Sequence, residues 1–109
     1  MNLGYKVWLE RDGVIMGEGL YNILISIRKT GSISRAAADL KMSYRTAWGK
    51  IKEAEQGWGV VLVKTKVGGE TGGGAELTPL AVRLIYQYDN FRGELDRVIR
   101  DIHCKHFCI

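Results

Sequence analysis

The chain has 109 residues, enough for one domain with a modest hydrophobic core. Lys and Arg outnumber Asp and Glu by 16 to 12, which gives a mild formal net charge of +4. No signal peptide is visible and no apolar run approaches the ~18 residues of a membrane span, so the expected location is the cytoplasm. The sequence offers no convincing nucleophile with a base and no carboxylate cluster, which argues against an enzyme, and no motif requires a cofactor.

The first sixteen residues predict a β-hairpin. Polar and apolar residues alternate from Tyr5 to Glu10, as in a half-buried strand. Arg11-Asp12-Gly13 supplies the turn, and Asp-Gly is the strongest short-range hairpin signal. The segment 14–16 is then the returning strand. We expect this hairpin to pack on the rest of the domain or on a partner.

The next segment, from Gly17 to Lys29, predicts an amphipathic helix that ends at Thr30-Gly31. Its apolar residues recur at intervals of three and four, which places them on one face. We expect this face to be buried behind the elements that follow. Its members are Leu20, Ile23, Leu24 and Ile27.

The stretch between residues 31 and 59 predicts two short helices, Ser34 to Leu40 and Ser43 to about Gln56, with a tight turn between them. Small alanines allow the two helices to cross closely, as in a DNA-binding helix-turn-helix. Lys41 stands in the turn where the backbone tends toward positive φ, a position that favours Gly. The candidate N-caps are Ser32 or Ser34 for the first helix and Ser43 for the second.

The second of these helices has two contrasting faces. Five residues at helical spacing are expected to face the core: Tyr44, Ala47, Trp48, Ile51 and Ala54. The other side is basic and is suited to a phosphate-lined groove; it carries Arg45, Thr46, Gly49, Lys50 and Lys52. Between Arg28 and Lys66 there are nine Lys or Arg residues and three Asp or Glu residues, a local surplus of positive charge typical of a nucleic-acid partner.

A second hairpin is predicted after the helix-turn-helix. Residues 60–66 alternate and form its first strand, 67–74 form a glycine-rich tip, and 75–77 form the return strand. The glycine-rich tip lacks the Gly-Lys-Ser/Thr ending of a P-loop, so a nucleotide site is disfavoured against a wing that settles on DNA.

The last helix is expected to begin with Thr78 as N-cap and Pro79 at the first position, and to end at about Ile102. Its apolar residues alternate in steps of three and four, as in a coiled-coil seam. The seam consists of Ala81, Leu84, Tyr88, Phe91, Leu95, Val98 and Ile102. A small domain has little left to cover its second half, so a second copy of the chain is favoured over a core helix within one subunit.

Four segments together resemble the DNA-binding part of LysR-type regulators, and more closely that of ModE-type molybdate-responsive regulators. They are TGSISRAA, MSYRTAW, KTKVGGETGGGA and LTP followed by RLIYQYDNF, and the likeness runs roughly from residue 17 to 95. The resemblance implies a winged helix-turn-helix, a dimer joined by the last helix, and sequence-specific DNA binding. ModE-type proteins also carry molybdate-binding domains, for which 109 residues leave no room, so molybdate sensing is not expected of this chain. A separate effector-sensing protein stays open as a partner. Glu70 also stands in the wing where a Lys is expected.

The expected fold is mainly α with a small β portion: one domain of residues 1–109, with the helix-turn-helix at 32–57, the wing at 60–77 and a dimerisation helix at 79–102. Base contacts are expected chiefly from Arg45, whose fork matches guanine O6 and N7. The expected DNA-binding residues are Arg35, Lys41, Ser43, Tyr44, Arg45, Thr46, Lys50, Lys64 and Lys66. Those expected in the dimer contact are Leu84, Tyr88, Phe91, Leu95, Val98 and Ile102.

Two alternatives to a homodimeric regulator on a pseudo-palindromic site stay open. The winged helix can serve as a protein-interaction module, which the acidic wing tip and the modest net charge favour. The C-terminal run HCKHFC can form a thiol- or metal-responsive switch, although its spacing matches no known zinc motif. Its candidate ligands are His103, Cys104, His106 and Cys108.

Overall fold

The computed structural model describes residues 1–69 and 72–107, with the backbone alone for 67–69, 72 and 73. Four helices and two hairpins follow one another along the chain. In order they are β1 (Leu9–Arg11), β2 (Val14–Met16), α1 (Glu18–Thr30), α2 (Ile33–Asp39), α3 (Tyr44–Trp58), β3 (Val63–Gly69), β4 (Gly72–Leu77) and α4 (Pro79–Phe107). This mainly helical chain with two small antiparallel sheets has the predicted architecture.

The N-terminal hairpin is present but shorter than predicted. β1 and β2 pair antiparallel with Leu9 opposite Met16, and Asp12 and Gly13 make the turn with φ of 52° and 79°. The prediction that the strand begins at Tyr5 is wrong, because β2 ends one residue before α1 is capped and leaves nothing for residues 5–8 to pair with. Instead this segment lies along α4, where Tyr88 donates a hydrogen bond to the carbonyl of Val7 at 3.3 Å.

Helix α1 confirms the sequence prediction within one residue at each end. The four predicted stripe residues are its buried residues, and each is at most 6% exposed. The helix ends at Gly31, whose φ of 72° is a left-handed conformation that glycine adopts at little cost. α1 is therefore the central helix of the core and supports the two helices that follow.

The two helices of the helix-turn-helix begin and end close to the predicted residues. Ser32 accepts a hydrogen bond from the Arg35 amide at 3.2 Å and caps α2. Ser43 accepts one from the Thr46 amide at 3.0 Å and caps α3. Lys41 takes the positive φ expected of the turn, 56°. Local sequence thus dictates both caps and the turn.

The predicted core face of α3 is right at three positions and wrong at two. Ala47, Ile51 and Ala54 are at most 1% exposed, whereas Tyr44 is 50% and Trp48 42% exposed. The exposure of these two rings does not follow from their angle around the helix, because Tyr44 lies between buried Ile51 and buried Glu55, and Glu55 lies about 20° from Trp48. The exposure follows from their position along the helix: residues 62 and 63 cover this side at its C-terminal half, whereas Tyr44 and Trp48 lie in the N-terminal half, beside the second hairpin.

Glu55 joins the end of α3 to the second hairpin. One carboxylate oxygen accepts hydrogen bonds from the amides of Leu62 at 2.7 Å and Val63 at 3.2 Å. The other accepts one from Lys52 Nζ at 3.0 Å. The Val60 amide also donates to the backbone carbonyl of Glu55 at 3.1 Å, so the chain continues from α3 at Val60 and does not yet pair as a strand. The predicted strand start at Val60 is therefore wrong, and β3 begins at Val63.

The second hairpin, which we call the wing, is longer than predicted. β3 and β4 reach Gly69 and Gly72, so much of the predicted loop 67–74 continues the ladder, with a register irregularity between 66 and 69. The loop is predicted because glycine costs conformational entropy in a strand. Glycine does not prevent backbone pairing, however, so the two strands continue through this segment. Glu70, predicted to weaken the wing tip, lies outside the described residues.

Helix α4 begins as predicted, with Thr78 accepting a hydrogen bond from the Ala81 amide at 3.2 Å. It ends at Phe107 rather than at Ile102; cationic Lys105 near its end favours a helix C-terminus. Its buried residues are Ala81, Ile85 and Tyr88, of which Ile85 was not predicted. None of the helices in the described part of the chain combines the length and apolarity needed to cross a bilayer.

Candidate nucleic-acid interface

Helix α3 presents a solvent-facing side centred on Arg45 and Gly49. With Ala47, Ile51 and Ala54 buried, the opposite side of a 3.6-residue helix carries residues 45, 46, 49, 52, 53 and 56. A Cβ added to Gly49 would meet no described atom within 4 Å. No described neighbouring helix therefore explains this glycine, which leaves room for another molecule to approach the backbone.

All nine residues predicted to bind DNA are exposed to solvent. They do not form one face, because α3 has two flanks. Lys50 lies on the flank of α1, where a Cβ added to Gly19 would be 3.9 Å from its Nζ. Tyr44 lies on the opposite flank, beside the wing. Arg45 and Thr46 lie between them, at the N-terminal end of the helix.

A groove of about 420 Å³ separates α3 from the wing. Trp48 and Tyr44 line one wall, and Thr65 and Lys66 of β3 line the other. Ser34 and its neighbours at the start of α2 close the end. The predicted recognition helix and the predicted wing therefore border a single concave surface that bears hydroxyl, cationic and aromatic groups.

The cations around α3 differ in how they are engaged. Lys66 Nζ lies 3.5 Å from the carboxylate of Glu76, and both side chains are exposed, a pair that solvent screens. Lys52 is bound to Glu55 and stands 5.5 Å above the centre of the Trp48 ring. Among the described residues, the other cations predicted to bind DNA form no ion pair; these are Arg35, Lys41, Arg45, Lys50 and Lys64. Their charge is available to a polyanion.

The Glu55 carboxylate is ionised in this setting. Burial alone would raise its pKa, but the hydrogen bonds from the Leu62 amide, Lys52 and the Val63 amide outweigh burial, so the pKa lies below its ordinary value. The buried carboxylate stays ionised because both of its oxygens accept hydrogen bonds. This contact fixes the wing relative to α3.

The described part of the HCKHFC run belongs to α4. His103 stacks on Phe107 at 5.7 Å, and Cys104 is exposed. Within residues 1–69 and 72–107 no three His, Cys, Asp or Glu side chains come close enough to hold a metal ion. Cys108, the fourth predicted ligand, lies outside the described residues.

The predicted dimer seam separates into two parts. Its first members pack on the subunit's own core: Ala81 and Tyr88 are buried and Leu84 is half-buried. In the second half of α4, Phe91, Val98 and Ile102 are 38%, 54% and 54% exposed.

Sequence comparison identifies the family. The model for bacterial regulatory helix-turn-helix proteins of the lysR family matches residues 20–82. The molybdenum-pterin-binding protein MopB of Rhodobacter capsulatus is 40% identical over 82 residues, 75% of this chain and 30% of MopB. The DNA-binding transcriptional dual regulator ModE of Escherichia coli K12 is 44% identical over 68 residues, 62% of this chain and 26% of ModE. The chain spans less than a third of the length of these two relatives.

Solved structures share the fold. The CbnR DBD–DNA complex superposes with a TM-score of 0.64 at 19% identity, over 84% of this chain and 99% of that one. The BenM DBD in complex with benA site 1 DNA gives a TM-score of 0.63 at 14% identity, over 86% of this chain and all of that one. These likenesses confirm the winged helix-turn-helix fold with a long C-terminal helix. The chain therefore belongs to the lysR family of bacterial regulatory helix-turn-helix proteins and, where it aligns with MopB and ModE, resembles the ModE type.

Proposed function

We propose that the chain is a sequence-specific transcriptional regulator that binds a pseudo-palindromic DNA site as a homodimer. One observation carries the proposal: a set of exposed cations without ion-pair partners among the described residues surrounds the solvent-facing side of α3. ModE, which resembles the chain, is named a DNA-binding transcriptional dual regulator, and CbnR and BenM were solved in complex with DNA.

Within this proposal α3 enters the major groove. Arg45 lies on its solvent-facing side near the N-terminal end, where a helix of this kind contacts base edges. Its fork matches guanine O6 and N7, and the adjacent Thr46 and Tyr44 supply further base contacts. Lys50, on the other flank, and Lys64, on the wing, are placed to reach phosphates on opposite sides of the helix.

The second copy covers the exposed half of α4. This helix of 29 residues is about 43 Å long at ~1.5 Å per residue, and its distal half extends away from the body that α1, α2 and α3 form. Phe91, Val98 and Ile102 form a partly exposed stripe at intervals of seven and four residues. Two recognition helices then read half-sites about one DNA turn, ~34 Å, apart.

The DNA proposal is tested by replacing Arg45 with Ala and measuring binding to a site selected from genomic fragments. Losing a bidentate guanine contact costs ~1–3 kcal/mol, so affinity is expected to fall about tenfold or more, with relaxed preference at one base pair. Arg97→Ala is the matched control, since it removes the same charge from an exposed position on α4. Equal binding by the parent and Arg45→Ala would contradict the assignment of α3.

The dimer proposal is tested by sedimentation velocity of two variants that introduce the same charge on one helix. Ile102→Glu places a carboxylate in the exposed stripe, and we expect it to shift the protein to monomer. Arg97 lies on another side of α4, so Arg97→Glu is expected to leave the dimer intact. A monomeric parent, or two variants that behave alike, would contradict the α4 interface.

A further inference from the structure

We infer that Trp48 and Tyr44 form an apolar contact surface for the 5-methyl group of a thymine. These two residues then help to determine which DNA sequence the protein binds. The inference rests on the proposed function and adds what the predicted contacts lack, a reader of T·A base pairs beside the guanine assigned to Arg45. It starts from two side chains that sequence patterning places in the core and that the structure places outside it.

Packing of the subunit's own core leaves these two aromatic side chains half-exposed. Tyr44 and Trp48 are four residues apart, so they lie one above the other on the wing flank of α3, and they are 50% and 42% exposed. The four buried residues of this helix, Ala47, Ile51, Ala54 and Glu55, are at most 8% exposed. Two adjacent half-exposed aromatic rings form an apolar patch, and such a patch in a polar groove marks a site of contact with another molecule.

Lys52 contacts one face of the Trp48 ring. Lys52 Nζ lies 5.5 Å from its centroid, within cation–π range. The same ammonium donates to Glu55 at 3.0 Å, and Glu55 in turn accepts from the Leu62 amide ahead of the wing. This succession of contacts holds Trp48 before any ligand arrives, so little side-chain entropy remains to be lost on binding.

The surroundings point to DNA as the occupant. The rings wall the groove between α3 and the wing, and Thr65 and Lys66 face them across it. Arg45 lies three residues before Trp48, a spacing at which helical side chains are neighbours, so the apolar patch adjoins the proposed base-reading surface. A major-groove contact at this flank meets base edges close to one sugar–phosphate strand.

Thymine is the base whose chemistry fits this patch. In the major groove it alone among the four bases presents an apolar group, the C5-methyl, whereas cytosine presents an amino donor at the neighbouring atom. Aromatic faces bury a methyl group well and offer nothing to an exposed amino group. Packing of the rings against deoxyribose instead would not distinguish thymine from uracil, which separates the two contacts experimentally.

The test replaces each thymine of a selected site in turn by deoxyuridine and measures the dissociation constant by fluorescence anisotropy. This substitution removes one methyl group and leaves every hydrogen-bonding atom of the base in place. At one thymine in each half-site we expect affinity to fall about fourfold, the ratio equivalent to ~0.8 kcal/mol for one buried methyl-sized group. The protein is unchanged throughout, so folding does not enter the comparison.

Two variants assign the effect to residues. In Trp48→Ala or Tyr44→Ala the ratio of uracil to thymine affinities at that position is expected to return to one, while Lys50→Ala, on the opposite flank, keeps the fourfold ratio. Failure to recover any selected site would overturn the proposed function and the inference with it. A selected site at which no methyl group matters, or a ratio that persists in both aromatic variants, would overturn the inference alone.

Discussion

Removing the Glu55 carboxylate tests whether the end of α3 is fastened to the wing as the structure shows. One oxygen accepts both backbone amides, from Leu62 and Val63, and the other accepts Lys52. Leu62 is fully buried and Val63 is 6% exposed, so Glu55→Ala leaves two amides with no described acceptor and no ready access to water. At ~1–3 kcal/mol for each unsatisfied group, the free energy of unfolding is expected to fall by about 3 kcal/mol.

A graded series makes this prediction specific. Glu55→Gln can place its carbonyl oxygen at the position that serves both amides and loses only the bond to Lys52, so it is expected to cost about 1 kcal/mol. Glu53→Ala removes an exposed glutamate two residues away that makes no described ion pair, and is expected to change stability by less than ~0.5 kcal/mol. Urea unfolding followed by circular dichroism measures all three. If Glu55→Ala is no less stable than Glu55→Gln, the two amide bonds do not fasten the wing.

The same carboxylate makes stability depend on pH. Its pKa in the folded chain lies below the ordinary value of 4.5 that it takes on unfolding. The stabilisation is therefore fully present above that ordinary value and is lost as the pH falls through the folded pKa. The gap in unfolding free energy between the parent and Glu55→Gln is expected to stay constant from about pH 6 to 8 and to narrow below about pH 4.5. A gap that widens on acidification would contradict the ionised state of Glu55.

Three further predictions concern local structure, each measured by urea or thermal unfolding. Lys41→Gly relieves the positive φ of 56° and is expected to add up to ~1 kcal/mol; a loss of stability would contradict the turn geometry. Ser43→Ala removes the N-cap of α3 and is expected to cost ~1 kcal/mol. Ser34→Ala serves as control, because this exposed serine caps no helix among the described residues. Arg92→Met keeps the aliphatic stem but loses the guanidinium 4.7 Å above the Tyr21 ring, and is expected to cost ~0.5–1 kcal/mol; an unchanged midpoint would contradict that contact.

Sequence predicted the parts of this fold that local chemistry decides. The stripe on α1 follows from helical spacing, and the caps Ser32, Ser43 and Thr78 follow from hydroxyls placed before helices. The left-handed turn at Lys41 was likewise predicted from its place between two helices. Each of these features depends on residues within a few positions of one another, which is why one sequence is enough to find them.

The wrong predictions concern features that depend on contacts between residues far apart in the sequence. Helical spacing predicts a core position for Tyr44 and Trp48, but residues 62 and 63 cover that side of α3 only near Glu55, and periodicity does not show how far along a helix its neighbours reach. In the same way the segment from Tyr5 follows α4, more than eighty residues away, rather than forming a strand. Exposure of all nine predicted DNA-binding residues agrees with the candidate site, while their contacts with DNA stay predictions.

The central claim, that α3 and its surroundings read DNA, is tested most directly by the binding of the purified protein to pooled genomic fragments. Fluorescence anisotropy at low and moderate salt, with recovery of the tightest fragments, supplies both affinity and sequence. We predict selective binding whose affinity falls steeply with salt. The logarithmic slope is expected to be about −7 if Arg35, Lys41, Lys50 and Lys64 of both protomers each neutralise one phosphate. Weak binding that favours no fragment, at either salt concentration, would contradict the account.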